Sequence, residues 1–141
     1  MKTTLNSLLI TAAGLTLSAA FLQTAAYGQT NVVANVPFAF QTAAGMQQPG
    51  EYAIAPISHD GAVLKLQNRD TGKSSMIGMG TPSGLSKDGP KLVFRCGSES
   101  GCALSAVVMG DGRGWSYKAP HLKPSETERV AVVYFESKQA E

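Results

Sequence analysis

Lys91-Leu92-Val93-Phe94-Arg95-Cys96-Gly97-Ser98-Glu99-Ser100-Gly101-Cys102-Ala103-Leu104-Ser105-Ala106-Val107-Val108-Met109 is the stretch that decides the fold. Leu92, Phe94 and Cys96 alternate with Lys91, Val93 and Arg95, the two-residue period of a strand with one buried face. Pairing Cys96 with Cys102 across a hairpin sets Phe94 opposite Leu104 and Leu92 opposite Ala106. These six side chains then share one face, and the loop Gly97-Ser98-Glu99-Ser100-Gly101 is polar and flanked by glycine. The expectation is a cross-strand disulfide on the core side of a sheet end. With two cysteines the connectivity is forced, and an even count in an exported chain favours the bond. Closing so short a ring contributes roughly 2–2.5 kcal/mol in the loop-entropy picture. Redox pairs place two residues between their cysteines; here there are five, which favours a structural role.

Toward the N-terminus the same period continues. Strands are read over Val32–Phe40, Glu51–Ile57, Ala62–Asn68 and Ser74–Met79, beside those at Lys91–Cys96 and Cys102–Met109. Pro37 suits an edge strand or a bulge. His59-Asp60-Gly61 and Asp70-Thr71-Gly72 each carry Gly third, the left-handed position of a three-residue hairpin loop. Taking both loops at that length, Ile54 faces Leu66 and Leu66 faces Met76, while Leu64 faces Pro56 and Gly78. Apolar residues land on one face, so a meander is expected. Thr81 to Gly89 reads as a loop.

Toward the C-terminus, Asp111-Gly112-Arg113-Gly114 reads as a turn or mobile loop, followed by a strand over Trp115–Lys118. Pro120 and Pro124 deny a helix or central strand nearby. Ser125 with Glu128 matches a capping box, which allows one helical turn. Val130 to Glu136 is β-branched and aromatic and reads as strand, with a short helix as the alternative. Residues 137–141 read as a frayed tail.

The first 28 residues are of another kind. Lys2 is their single charge, an apolar run spans Leu8 to Leu22, and Ala25-Ala26-Tyr27-Gly28 precede Gln29. That is the pattern of a secretory signal peptide, with cleavage after Gly28 or Ala26. An uncleaved anchor is the alternative, but Thr11, Gly14, Thr16 and Ser18 interrupt a run already short for a span of about 20 residues. The expected compartment is periplasmic or extracellular, and no transmembrane span is expected after cleavage.

Removing 28 of 141 residues leaves 113, one domain over 29–136 that can bury most of its apolar surface unaided. It keeps 11 basic and 10 acidic side chains, the full chain's 12 and 10 less Lys2. So small a net charge argues against a nucleic-acid partner, which would need a basic stripe.

No motif with specific chemistry survives inspection. Thr71-Gly72-Lys73-Ser74 resembles the end of a phosphate-binding loop, but Gln67 stands where that motif needs Gly. Gly97 to Gly101 has Glu99 where a nucleophile elbow needs Ser. His59 and His121 lack metal-ligand spacing, and Asp111 lacks the further carboxylates of a calcium loop. No catalytic residue, metal or cofactor is assigned. Trp115 and Tyr117 share a face beside a glycine-rich turn; they are a candidate binding surface for sugar or peptide stacking, or a cap on the core.

Val36-Pro37-Phe38-Ala39-Phe40, Gln48-Pro49-Gly50-Glu51-Tyr52-Ala53-Ile54, Pro90-Lys91-Leu92-Val93-Phe94-Arg95 and Ser125-Glu126-Thr127-Glu128-Arg129 together resemble the VPFxF, PAGxYxV and KLVFxR pattern of a family of short exported bacterial β proteins of uncharacterised function. The resemblance spans about Asn35 to Arg129. It implies a β domain and export, and carries no catalytic residue. This chain departs from the pattern where Gly97 to Gly101 and the two cysteines stand in place of Gly-Asp and an aromatic pair.

The resulting expectation is an all-β domain of about seven or eight strands, an antiparallel sandwich or partly closed barrel. Its expected role is non-enzymatic binding or structure in the cell envelope or extracellular space, contacting a cell-surface polymer or another exported protein. A small-ligand carrier with a barrel cavity is the alternative, and a wall-active hydrolase built on His59 or His121 a further one. An exposed edge strand would favour assembly by strand addition.

Overall fold

The computed structural model describes residues 32–78, 80–118 and 123–136. The expected leader over 1–28, the tail over 137–141 and His121 lie outside the described residues.

The described residues form eleven strands: β1 (Val32–Val36), β2 (Phe40–Thr42), β3 (Gly45–Gln47), β4 (Gly50–Pro56), β5 (Leu64–Asn68), β6 (Ser74–Ile77), β7 (Thr81–Leu85), β8 (Lys91–Gly97), β9 (Gly101–Val108), β10 (Arg113–Ser116) and β11 (Glu128–Tyr134). One sheet runs β1-β4-β5-β6 and the other β11-β8-β9-β10-β7. The β2–β3 hairpin joins the second sheet where Phe40 pairs in parallel with Cys102. The two sheets pack as a sandwich and do not close into a barrel. One seam is stitched by a single bridge between Val33 and Glu136, with Glu136 N donating to Val33 O at 2.8 Å.

The strand count exceeds the expected seven or eight for identifiable reasons. Pro37 has no N–H to continue a ladder, so β1 stops at Val36 and the chain crosses to the other sheet before β2. That crossing brings four aromatic rings together in three edge-to-face pairs. Phe38 and Phe40 lie 5.0 and 5.1 Å from Phe94, and Phe40 lies 5.3 Å from Tyr52. The β2–β3 hairpin is only three residues a side. In β7 every residue is exposed, so the expected loop over Thr81 to Gly89 hides a strand with no burial alternation to reveal it. No helical turn starts at Ser125: Lys123 to Glu126 is a single turn, and Glu128 opens β11. Val130 to Tyr134 is strand, and the short-helix alternative does not form.

The β4–β5 register is as expected, with Ile54 opposite Leu66 and Pro56 opposite Leu64. The β5–β6 register is displaced by one residue, with Leu66 opposite Ser75 and Leu64 opposite Ile77. The cause is the turn. Asn68 and Lys73 close it through an N–H to O bond of 2.8 Å, leaving four loop residues, and Asn68 Oδ1 accepts from the N–H groups of Asp70 and Thr71 at 2.9 and 3.1 Å. A one-residue slip exchanges the faces of a strand. Ile77 is therefore in the core at 1% exposure and Met76 is outside at 66%.

The cysteine hairpin pairs Cys96 with Cys102 and Phe94 with Leu104. A bulge then intervenes and Leu92 meets Val107, not Ala106. Ser105 is the extra residue, its hydroxyl donating to Val93 O at 3.1 Å. The bulge turns Val107, rather than Ala106, into the core. Cys96 and Cys102 are joined, with Cys96 buried and Cys102 packed against the core cluster. The β9–β10 connection, Gly110 to Gly112, is a three-residue loop with Gly112 third at φ +83°. Strand pairing thus resumes at Arg113, two residues before the expected Trp115.

Candidate functional site

Trp115 and Tyr117 do lie on one side of their segment, and that side is inward. Trp115 is 5% exposed, belongs to the core cluster and has Arg113 over its ring at 5.8 Å. Its ring sits against Gly61, and Gly80 lies under both aromatic side chains. The stacking-platform reading is therefore corrected: a ring this covered offers no face to a ligand, and the pair caps the core. Burial pushes the Tyr117 phenol up to about 12, and its hydroxyl has no hydrogen-bond partner among the described residues.

His59 is exposed in the β4–β5 turn. Its neighbour Asp60 is held below the usual carboxylate range by the Ser58 hydroxyl and by the N–H of Ala62 at 3.0 Å. Those contacts build the turn. Between the sheets, the space that a carrier would need for a ligand is occupied by Phe40, Tyr52, Phe94 and Trp115.

The disulfide hairpin is tied to the segment ahead of β11 by one carboxylate. Glu126 accepts from the Ser100 hydroxyl at 2.7 Å, from Glu99 N at 2.8 Å, from Lys123 N at 2.9 Å and from Ser100 N. The Ser100 hydroxyl, then these N–H groups, hold its pKa down at about 2. Lys123 also pairs with Glu99 at 3.3 Å. Glu128 follows, gripped by the Nε and Nη2 of Arg95, whose guanidinium keeps that carboxyl below its ordinary range. These contacts position the start of β11.

β11 itself carries the feature with most functional content. Ala131 and Val133 pack against the core from its inner face. On the outer face Val130, Val132 and Tyr134 are 61%, 41% and 59% exposed. A strand apolar on both faces is the composition of a central strand, yet β11 is at the edge of its sheet. The backbone shows which groups are open. Phe135 N donates to Pro90 O on the β8 side, and Glu136 N donates to Val33 O on the opposite side. Antiparallel strands alternate in this respect, and the β8–β11 register is unbroken. The N–H and C=O groups of Arg129, Ala131 and Val133 therefore face β8, and those of Glu128, Val130, Val132 and Tyr134 face outward.

Other edges are blunted. β7 contains Pro82 and a left-handed Gly84, β3 has three residues and β6 four. β1 is shielded at Val33 by Glu136. β11 has seven residues with neither Pro nor Gly and with charge confined to Glu128 and Arg129. Natural sheets avoid leaving such an edge bare because it templates pairing with another chain. Val130 to Glu136 is legible as a strand, but not as an edge; its doubled apolar face is the signal for an edge that expects a neighbour.

Comparison of the chain with protein-family models, with curated proteins and with solved structures finds no match.

Proposed function

We propose that this chain is an exported, non-enzymatic binding protein that joins another exported protein by strand addition at β11. The observation that carries the reading is a seven-residue edge strand whose outward N–H and C=O groups have no strand partner among the described residues and whose outer face is Val130, Val132 and Tyr134. Strand addition draws affinity from main-chain hydrogen bonds and specificity from alternate side chains, and both resources are present there. Export is supported by the signal-peptide pattern of residues 1–28 and by the Cys96–Cys102 bond, since disulfides persist in oxidising compartments. Among the described residues no helix is long and apolar enough to cross a membrane. A protein partner is preferred over a surface polymer because Trp115 and Tyr117, the pair read as a stacking surface, are turned into the core, and the exposed Tyr134 lies on the open strand itself.

A photoreactive side chain at position 132, introduced in exporting cells, tests this. It should form a discrete protein adduct that Val130→Lys removes, and the same probe at Met76, exposed on the other sheet, should form none. Equal yields at both positions, or an adduct indifferent to Val130→Lys, would overturn the reading.

A further inference from the structure

We infer that the strand added at β11 is β11 of a second copy, paired antiparallel about a two-fold axis at Ala131. This rests on the strand-addition reading above and names its occupant.

The bridge from Val33 to Glu136 caps the C-terminal end of the open edge. Among the described residues no strand is paired along the outer edge of Glu128 to Tyr134, whose midpoint is Ala131. A two-fold contact requires that the same patch be complementary to itself. Centred on Ala131, the outward-facing groups pair with one another: Val130 with the partner's Val132, and Glu128 with the partner's Tyr134. Each such pair exchanges two main-chain hydrogen bonds. At the axis Ala131 meets the partner's Ala131 as a non-hydrogen-bonded pair, where side chains approach most closely, and a methyl group fits there.

The side chains agree with this register. Val93 lies beside Val132 on β8, so Val93, Val132 and the partner's Val130 form one apolar row on the outer face. Lys91 lies beside Tyr134, so Tyr134 sits between Lys91 and the partner's Glu128, opposite charges flanking one phenol. Cross-strand pairs of these kinds stabilise sheets, whereas like charges directly opposite destabilise them. Parallel pairing in register would set Glu128 against Glu128 and Arg129 against Arg129. Antiparallel pairing carries those charges to opposite ends of the interface.

Sedimentation equilibrium of the purified chain across a concentration series tests the inference. The wild type should sediment as a dimer at the upper concentrations. Val132→Lys, whose side chain points to solvent in the monomer, should lower the association constant at least tenfold, and Met76→Lys should leave it unchanged. Thermal melts of both variants check that each is folded. A photoreactive side chain at position 132 should join the second copy near Val130. A wild type that is monomeric throughout, while the probe at position 132 still traps a different protein, would overturn self-pairing and leave strand addition standing. A monomer with no adduct of any kind would overturn both. Dimerisation indifferent to Val132→Lys would place the contact elsewhere and overturn the inference.

Discussion

Glu126 does with one carboxylate what a loop this polar cannot do for itself: it holds Glu99, Ser100 and Lys123 in one geometry. Its folded pKa of about 2 lies below the ordinary 4.5. Such a group stabilises the fold fully above its unfolded pKa and loses that contribution as pH falls through the folded one. Melting temperature should therefore fall between about pH 4.5 and pH 2, with Glu128, depressed by Arg95, adding in the same direction. Glu126→Gln should flatten part of that slope; an acid profile identical to the wild type would contradict the latch. Gly80 makes a second residue-level case, this time of close approach. A Cβ there would lie 2.7 Å from Trp115 Cβ and 3.0 Å from the Tyr117 ring. Forcing extra volume into a packed site costs about 1–3 kcal/mol, so Gly80→Ala should lower the urea midpoint, and an unmoved midpoint would mean the contact is slack. That Trp115 and Tyr117 share a side was legible from their spacing alone. Which side was not, because Gly61 and Gly80, which receive the rings, are distant in sequence.

Elements succeed or fail as predictions according to whether their turns speak plainly. Gly61 marks the β4–β5 turn and the register follows from it. Gly72 is equally left-handed, but Asn68 reaches forward to cap the turn and lengthens the loop by one residue, which exchanges Met76 for Ile77 in the core. Side-chain capping of this kind depends on Asn68 being buried, a tertiary fact absent from the local pattern. Asn68→Ala removes the acceptor of the exposed Asp70 and Thr71 N–H groups, and the net contribution of such a hydrogen bond is about 0.5–1.5 kcal/mol. The loss should appear in chemical denaturation together with faster amide exchange at Thr71; unchanged exchange there would argue that the cap is idle. The cysteine hairpin was legible at its disulfide end and misjudged beyond Phe94, since nothing local announces a bulge at Ser105. Replacing both cysteines with serine should lower stability by roughly 2–2.5 kcal/mol, the loop-closure value for a ring this short. No loss on replacement would mean that β8 and β9 are held in register without the bond.

For the molecule as a whole, two sheets bury one aromatic-rich core and leave their edges unequally defended. The all-β class followed from the alternation, because each run of strand carries one apolar face that a second sheet or a closed barrel must cover; the choice of sandwich over barrel did not, since it depends on how the sheet edges meet. The extra strands escaped notice where burial leaves no alternation, as in β7, or where the strand is too short to show a period, as in β2 and β3. The candidate site escaped for the opposite reason, since β11 looks like core and its edge position depends on chain topology. Amide hydrogen exchange, resolved residue by residue on the purified chain from dilute to concentrated solution, tests the central claim most directly. When dilute, Arg129, Ala131 and Val133 should be protected while Val130, Val132 and Tyr134 exchange freely; on association the second set should become protected, with β6 and β7 unchanged. Protection that arises at β6 or β7, or Val130, Val132 and Tyr134 exchanging freely at every concentration and with every partner trapped by the probe at position 132, would contradict the account.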